Sequence, residues 1–349
     1  MKKRVWLIAV PLLLLLAAAL FAARWYVDNR MPNFSRMAEI YVRPEMSADE
    51  VFETVCREAG VKNRRSLRRC FSSKDVASNM KVGHYTVIPS NPSVYVARML
   101  NNGWQTPVRL SLAGNLRIKS NIAAKISSQL LLDSAAVSSA LDSAEFLARY
   151  GFTPRTAFSL LVPTMYEVYW TASLEDIFSK MKANYDAFWT EGNVAKAEAL
   201  GLTKTQVFTL ASIVEAESNY EPEMPKIAGV YLNRLKVGMP LQADPTVAFC
   251  YGYTLSRILK EHLSVDSPYN TYTHTGLPPG PVCAPGRASL EAVLNPDYGG
   301  KRGDGNFFFC ADSDFSGRHV FARTLTEHNR NAAAFHSEMT RRSRARNLQ

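Results

Sequence analysis

Two carboxylates near the end of one apolar segment are the best candidates for acid–base chemistry in this chain. The segment "LASIVEAESNYEP", residues 210–222, contains Glu215 and Glu217. On a helical wheel of about 100° per residue, Glu217 projects between Leu210 and Ile213, inside the apolar arc. Glu215 lies roughly 120° from the centre of that arc, nearer to solvent. The pattern therefore predicts that Glu217 lies on the face that the helix buries.

Burial would change the chemistry of Glu217. A carboxylic acid held among apolar neighbours resists ionisation, so its pKa rises, and a raised pKa suits a general acid near neutral pH. A capping-box pattern at Thr203 and Gln206 predicts where this helix begins. Two other interpretations remain: Glu217 pairs with an arginine such as Arg234, or it ends the helix at the surface.

The elements around this helix indicate an α+β fold in two parts. Residues 36–105 contain a strand, two helices and a second strand, in an order that resembles a LysM domain, a small βααβ module that binds N-acetylated glycans. Residues 106–349 are expected to form a larger α+β catalytic domain that ends in a basic tail. The supporting patterns are the strands "AEIYVRP" (38–44) and "VGHYTVIP" (82–89), the capping box of Ser47 and Glu50, and a basic helix near 64–71.

The N-terminus has the composition of a membrane anchor. Lys2–Arg4 precede an uncharged apolar run over residues 5–23, which as a helix spans roughly 28 Å. We predict a cytoplasmic tip at residues 1–4 and a single transmembrane helix at residues 5–25, which leaves the catalytic domain outside the cytoplasm. The alternative is a signal peptide, because small residues at 17–19 could be cleaved by a peptidase.

The charge balance narrows the class of partner. The chain carries 41 basic and 31 acidic residues, a net charge of +10, and arginines are concentrated in its last ten residues. For an exported domain this charge indicates anionic lipid or an acidic wall polymer, and nucleic acid is not expected. A solvated basic tail is the simpler alternative.

Cysteine and histidine patterns indicate no metal site. The five cysteines form no CxxC pair and the six histidines form no HExxH motif, so we expect neither a zinc site nor a cofactor. Export would permit a disulfide between Cys56 and Cys70, although buried free thiols account equally for the cysteines.

A series of motifs resembles one enzyme family. "LASIVEAES" is followed by "VYLNRLKVGMPLQADPTV", "SPYNTYTHTGLPPGPVCAPGRASLEAVLNP" and "FFFCADSDFSGRHVFARTLTEHN". This order, over roughly residues 80–335, is similar to that of the endolytic murein transglycosylases of the YceG-like family. The resemblance implies cleavage of the β-1,4 bond between N-acetylmuramic acid and N-acetylglucosamine within peptidoglycan strands. It further implies a cytoplasmic (inner) membrane location, with cell-wall synthesis proteins as candidate partners.

The resemblance also implies roles for individual residues. Glu217 would be the single catalytic acid and base, and Ser218 would orient it by a hydrogen bond. Asp244 and Pro245 also fit the N-cap and first position of a helix, so capping is an alternative role for Asp244. The expected substrate contacts are Gln242, Asp244, Thr246, Asn270, Thr271 and Tyr272.

One segment departs from the family pattern. Many relatives carry an acidic residue where this chain has Phe158, and an aspartate is missing after Pro163. Any substrate contact made by that segment is therefore in doubt, and Tyr166 and Glu167 are weak substitutes.

Two rival functions remain. A hydrolase would use Glu217 with a second carboxylate, Asp244 or Glu215, although Glu215 points about 200° away along the helix. An anchored, non-catalytic scaffold would bind glycan through the LysM-like segment and the basic tail.

Overall fold

The chain forms two compact units. The structure, a computed structural model, describes residues 2–112, 114 and 116–346, with side chains described from residue 9 to residue 344 within those ranges. The first unit runs to Leu110 and includes Glu167–Ala172, and the second takes Ser111–Tyr166 and continues from Ser173. Met1 of the expected cytoplasmic tip and residues 347–349 of the basic tail lie outside the described residues, as do the side chains of Lys2–Arg4 and Arg346.

The first unit begins with one long helix, α1 (Lys2–Asn29). Its segment Ala9–Asn29 has a mean hydropathy of 1.9 and exposes its apolar side chains, so by length and composition it is able to cross a membrane. Length and composition do not distinguish an anchor from a signal sequence.

A small α/β layer follows α1 in the first unit. Strands β1 (Ala38–Val42) and β2 (Gly83–Val87) pair antiparallel, with Ile40 opposite Tyr85, and both side chains are fully buried. Ser47 and Glu50 form the predicted capping box at the start of the first helix of the layer. The elements are β1 (Ala38–Val42), α2 (Ala48–Glu58), α3 (Arg64–Ser73), the short α4 (Val76–Asn79), β2 (Gly83–Val87) and α5 (Ser93–Asn102). The order strand, helices, strand is therefore present, with α4 as an additional turn.

The chain crosses between the units at a pair of short strands, β3 (Val108–Ser111) and β4 (Met165–Val168), which form a second two-stranded sheet. The predicted division at 105/106 falls just before this crossing. Between these strands lie α6 (Lys119–Ser127), α7 (Ser134–Asp142) and α8 (Ala144–Ala148).

The second unit is built around one central helix. α11 (Lys204–Glu217) begins at the predicted capping box of Thr203 and Gln206, and every residue from Val207 to Val214 is buried. α11 contacts three later helices of the unit, α12 (Met224–Lys236), α13 (Asp244–Cys250) and α14 (Arg287–Leu294). The remaining elements are α9 (Leu174–Phe188), α10 (Glu191–Leu200), α12 (Met224–Lys236), α13 (Asp244–Cys250), α14 (Arg287–Leu294), the antiparallel pair β5 (Phe308–Ala311) and β6 (His319–Ala322), and α15 (Leu325–Arg346). The predicted α+β class is confirmed.

All five cysteines are free thiols. Cys56 and Cys70 are buried on neighbouring helices of the first unit but are not bonded to each other. The interpretation as buried free thiols therefore holds for Cys56, Cys70 and Cys283, whereas the free thiols Cys250 and Cys310 are half-buried.

Candidate active site

Glu217 is the last residue of α11 and is tied to the next helix. The phenol of Tyr231, in the middle of α12, donates a hydrogen bond of 2.6 Å to Glu217 Oε1. Tyr231 is itself 1% exposed, so the packing of α12 fixes the position of the donor. The end of one helix and the centre of the next therefore hold this carboxyl group.

The pKa of Glu217 is raised to about 7, first by burial and to a lesser extent by the negative charge of Asp244. The hydrogen bond from Tyr231 and the charge of Arg234 act in the opposite direction, because both favour the carboxylate. Burial also raises the pKa of Tyr231 well above its ordinary value, so that the phenol stays protonated as a donor. Near neutral pH the Glu217 carboxyl can therefore both give and take a proton.

The Glu217 carboxyl opens into a cavity of about 340 Å³. Its wall combines charged and hydroxyl groups with aromatic rings, a mixture suited to a sugar, whose faces are apolar and whose edges are polar. The lining residues are Glu217, Tyr231, Arg234, Leu241, Gln242, Asp244, Tyr272, Phe308, Phe309, Leu325 and His328.

Arg234 is not the ion-pair partner of Glu217. Its Nε donates to Phe307 O at 2.7 Å, and its Nη1 donates to Leu241 O at 2.7 Å. Burial lowers the pKa of Arg234. Among the described residues no ion pair joins Arg234 to Glu217, and Nε and Nη1 of Arg234 bind backbone carbonyls instead, so the interpretation of Glu217 as a simple structural ion pair with Arg234 is wrong.

Asp244 faces the same cavity, and the alternative role as a helix cap is wrong. Ala243 is the N-cap of α13, Asp244 is the first helical residue, and no side chain caps this helix. The carboxylate instead accepts a hydrogen bond of 2.6 Å from the Tyr272 hydroxyl. Burial, followed by the hydrogen bond to Asp244, raises the pKa of Tyr272. Asp244 and Tyr272 thus form a second polar pair across from Glu217 and Tyr231.

Gln242 lines the cavity from a strained backbone position. Its φ is +49°, in the left-handed region that a residue with a Cβ rarely adopts. Its N–H donates to Thr271 O at 3.0 Å. The "YNTYTHTG" loop therefore fixes the backbone that presents Gln242 and Asp244.

Thr246, Asn270 and Thr271 lie behind the cavity wall. Thr271 Oγ1 accepts from the Ala243 N–H at 3.0 Å and shares a hydrogen bond of 2.9 Å with Thr246 Oγ1. Asn270 Nδ2 donates to two carbonyl groups of its own loop. All three side chains are at most 2% exposed, which supports a role in holding the loop. Their predicted contact with substrate stays a prediction.

Ser218 is buried at the C-terminus of α11, next to Glu217. Its Oγ accepts a hydrogen bond from the Tyr220 N–H at 3.1 Å. The hydrogen bond expected from Ser218 to Glu217 is made by Tyr231 instead. Any orienting effect of Ser218 would have to pass through the turn that follows the helix.

Glu215 faces a different cavity, of about 590 Å³. Its Oε2 accepts a hydrogen bond from the Gly286 N–H at 3.1 Å, and a Cβ at Gly286 would lie 3.0 Å from that oxygen. Two residues along a helix point to nearly opposite sides, so Glu215 is not the second carboxylate of the Glu217 cavity.

The sequence patterns missed several residues of the cavity. Tyr231 lies within "VYLNRLK", and Phe308 and Phe309 lie in "FFFCADSD", both motifs that carried the family resemblance. Their positions in those motifs were the available signal. Burial lowers the pKa of His328, the last polar residue of the lining.

Phe158 and Tyr166, in the segment that departs from the family pattern, are core residues, whereas Glu167 is exposed. Phe158 is 3% exposed, and Tyr166 donates from its hydroxyl to Val162 O at 3.0 Å. Neither lines the Glu217 cavity. Among the described residues no group of three or more His, Cys, Asp or Glu side chains is arranged to hold a metal ion.

Comparisons with known proteins agree on one family. The sequence profile described as the YceG-like family matches residues 40–334. Over 158 residues, 45% of this chain, the sequence is 40% identical to the endolytic murein transglycosylase of Bacillus subtilis strain 168, of which it covers 42%. Over 93% of this chain it is 25% identical to the endolytic murein transglycosylase of Streptococcus pneumoniae strain D39, of which it covers 63%. The chain therefore spans less than two thirds of the length of these curated relatives.

A solved structure shows a similar fold. The crystal structure of a yceG-like protein from Listeria monocytogenes superposes with a TM-score of 0.56 at 26% identity, covering 84% of this chain and 98% of that chain.

Proposed function

Because the chain belongs to the YceG-like family, we propose that it is an endolytic lytic transglycosylase. Its substrate would be the β-1,4 bond between N-acetylmuramic acid and N-acetylglucosamine inside peptidoglycan glycan strands. The observation that supports this most is the Glu217 carboxyl, whose pKa burial raises to about 7 at the wall of a mixed polar and aromatic cavity.

One carboxyl group suffices for both halves of the reaction. The Glu217 acid gives its proton to the glycosidic oxygen, the bond to C1 of the muramic ring breaks, and positive charge develops at C1. The resulting carboxylate then takes the proton from the C6 hydroxyl of the same sugar as O6 bonds to C1. The products are a free 4-hydroxyl on N-acetylglucosamine and a 1,6-anhydro end, and no water is consumed.

The neighbours of Glu217 fit this exchange. Tyr231 engages Oε1, which leaves Oε2 to carry the transferred proton. Asp244 raises the pKa of Glu217 and so favours the acid form before cleavage, and its negative charge also favours a cationic sugar ring. Gln242 and Tyr272 supply amide and hydroxyl groups for the polar edge of the sugar.

The experiment that tests this proposal is digestion of purified glycan strands by the full chain and two variants. Glu217→Gln keeps the shape and removes the acid, and we expect it to lose roughly a hundredfold or more in rate. Glu215→Gln, two residues away in the other cavity, is the matched control and should cut at nearly the wild-type rate. A Glu217→Gln variant that cuts as fast as the wild type would contradict the proposal.

A hydrolase is the second candidate, because Asp244 faces the same cavity as Glu217. Retaining and inverting glycosidases both need a second carboxylate to attack or to activate water. The hydrolase would leave a reducing end that carries the elements of water. The two reactions therefore differ in the mass of every new end.

The first unit and the N-terminal helix suggest where the enzyme works. We propose that α1 anchors the chain in the cytoplasmic membrane with its N-terminus inside, and that the LysM-like order of β1, α2, α3 and β2 serves glycan binding outside. Cell-wall synthesis proteins are proposed partners. Intact mass spectrometry of the mature chain tests the anchor. A mass that lacks the first twenty or so residues would show that α1 is a cleaved signal sequence and not an anchor.

A further inference from the structure

The end of α1 is joined to the first unit without a flexible linker. Ser66 on α3 donates from Oγ to Asp28 Oδ1 at 2.5 Å, and Arg69 Nη2 donates to the same oxygen at 2.6 Å. The side chain of Asp28 is 16% exposed, so this contact is partly shielded from water. The helix proposed to cross the membrane therefore holds α3 in a fixed position beside its last turn.

When the apolar run of α1 spans a membrane, this joint brings α3 to the level of the lipid headgroups. The apolar run of α1 ends at Ala23, and Asp28 follows five residues later, a rise of roughly 7.5 Å along a helix. The polar region on each side of a bilayer is of similar depth, roughly 5–8 Å. Side chains around Asp28 therefore lie within reach of phospholipid phosphates whenever α1 spans the membrane.

Four cations lie on the elements that meet at the joint, and we name them the exit cluster: Arg24, Arg69, Lys74 and Arg98. Arg24 precedes Asp28 by one turn of α1, Arg69 lies on α3, Lys74 is the C-cap of α3, and Arg98 lies on α5. The helices α3 and α5 contact α1 and each other, and Cys70 Sγ on α3 lies 3.9 Å from Asp28 O. The exit cluster therefore gathers cations from three packed helices.

Most cations of the exit cluster have no ion-pair partner among the described residues. Arg69 pairs with Asp28, but no carboxylate in the described chain lies within ion-pair distance of Arg24, Lys74 or Arg98. Arg24 and Arg98 are exposed and Lys74 is half-buried. Two other arginines of α3, Arg64 and Arg68, differ in this respect, since they pair with acids on α2.

We propose that the exit cluster binds the headgroups of anionic phospholipids and so fixes the height of the first unit on the membrane. This inference rests on the proposed anchoring by α1. Each basic residue near an anionic surface contributes on the order of 1 kcal/mol, which is about a fivefold change in partition. Three unpaired cations therefore give a clear preference over zwitterionic lipid.

The test compares lipids retained by the full chain. Wild-type protein is placed in nanodiscs of equal parts phosphatidylglycerol and phosphatidylcholine, then stripped stepwise with detergent, and the retained lipids are counted by mass spectrometry. For the wild type we expect an excess of phosphatidylglycerol of about fivefold or more. The triple variant Arg24→Gln/Lys74→Gln/Arg98→Gln should lose this excess, and the charge-conserving variant Arg24→Lys/Arg98→Lys should keep it. The matched control Arg257→Gln/Lys260→Gln/Lys301→Gln, on exposed positions of the second unit, should keep it.

Several results would contradict the proposal that the exit cluster binds anionic phospholipids. Equal retention of both lipids by the wild type would do so, as would an undiminished preference in the triple variant or an equal loss in the control. Binding of inorganic polyphosphate in detergent without any lipid preference would assign the cluster to a soluble polyanion instead. An intact mass that lacks α1 would contradict both the membrane anchor and lipid binding by the exit cluster. Glycan cleavage is measured separately and tests only the proposed reaction.

Discussion

At the scale of single residues, the site depends on how Glu217 balances two opposing effects. Burial favours the neutral acid, while Tyr231 and Arg234 favour the carboxylate. The result is a pKa near 7, which lets one group exchange protons in both directions. Neither effect alone would give this value.

Removing the Tyr231 hydroxyl should shift this balance. In Tyr231→Phe the carboxylate loses a hydrogen bond that lowers the pKa of Glu217, so that pKa rises above about 7. The acid form then persists to higher pH, so the basic limb of the pH–rate profile should move to higher pH. The maximal rate should fall, because Oε1 is no longer held. A variant whose rate falls with no shift of the limb would show that Tyr231 only supports packing.

The buried acid should also make stability depend on pH. The pKa of Glu217 is raised above its unfolded value of 4.5, so the folded protein holds the proton more tightly, and stability is lost as pH rises from about 4.5 through about 7. Glu217→Gln lacks this loss. Urea unfolding should therefore find the variant more stable than the wild type at pH 8, by up to about 3 kcal/mol, and nearly equal at pH 4. A difference that does not change with pH would contradict the raised pKa.

At the scale of elements, the loop around Asn270–Tyr272 and the start of α13 form one hydrogen-bonded unit. Buried hydroxyls carry the contacts, and the strained Gln242 backbone depends on them. This unit determines where Asp244 and Tyr272 meet the cavity.

A substitution in this loop should therefore affect the active site, although the substituted side chain lies behind the cavity wall. Thr271→Val leaves the buried Ala243 N–H without its acceptor, at a cost of about 1–3 kcal/mol. We expect both lower stability and slower glycan cleavage. The control Thr203→Ala removes the cap of α11 at a comparable cost of roughly 1 kcal/mol, and should leave the rate per folded molecule unchanged. Equal cleavage rates per folded molecule in the two variants would show that the loop does not affect the active site.

Sequence patterns predicted where helices begin more accurately than they predicted which side chains contact each other in the site. The capping boxes at Ser47 and Thr203 have a local cause and are confirmed. Helical periodicity placed Glu217 on the buried face, and the structure has it half-buried at the cavity wall, after the fully buried run that ends at Val214. Tyr231, Phe308 and Phe309 reach the cavity through the packing of distant segments, which no local pattern reports. The capping role of Asp244 failed because Tyr272, a residue far along the chain, binds its carboxylate.

At the scale of the whole molecule, the chain combines an apolar helix with two compact units. The Asp28 contacts make the end of α1 part of the first unit. The helix therefore has two roles that can be separated along its length: an apolar part suited to lipid and a last turn that stabilises α3.

Truncation should separate these roles. A chain that starts at Trp25 removes the apolar run and keeps Asp28, so we expect a protein that needs no detergent, unfolds like the full chain and still cuts glycan strands. A chain that starts at Arg30 also loses Asp28, which leaves Ser66 and Arg69 without their partner, and calorimetry should show a lower transition temperature for the first unit. Identical transitions in the two truncated chains would contradict a structural role for Asp28.

The most direct test of the proposed reaction is the mass of the new glycan ends formed in water enriched in heavy oxygen. Because the C6 hydroxyl of the substrate closes on C1, the ends should be lighter than hydrolysed ends by one water and should contain no heavy oxygen. New ends that carry heavy oxygen would mean that water attacks C1, and the single-acid transglycosylase account would then be wrong.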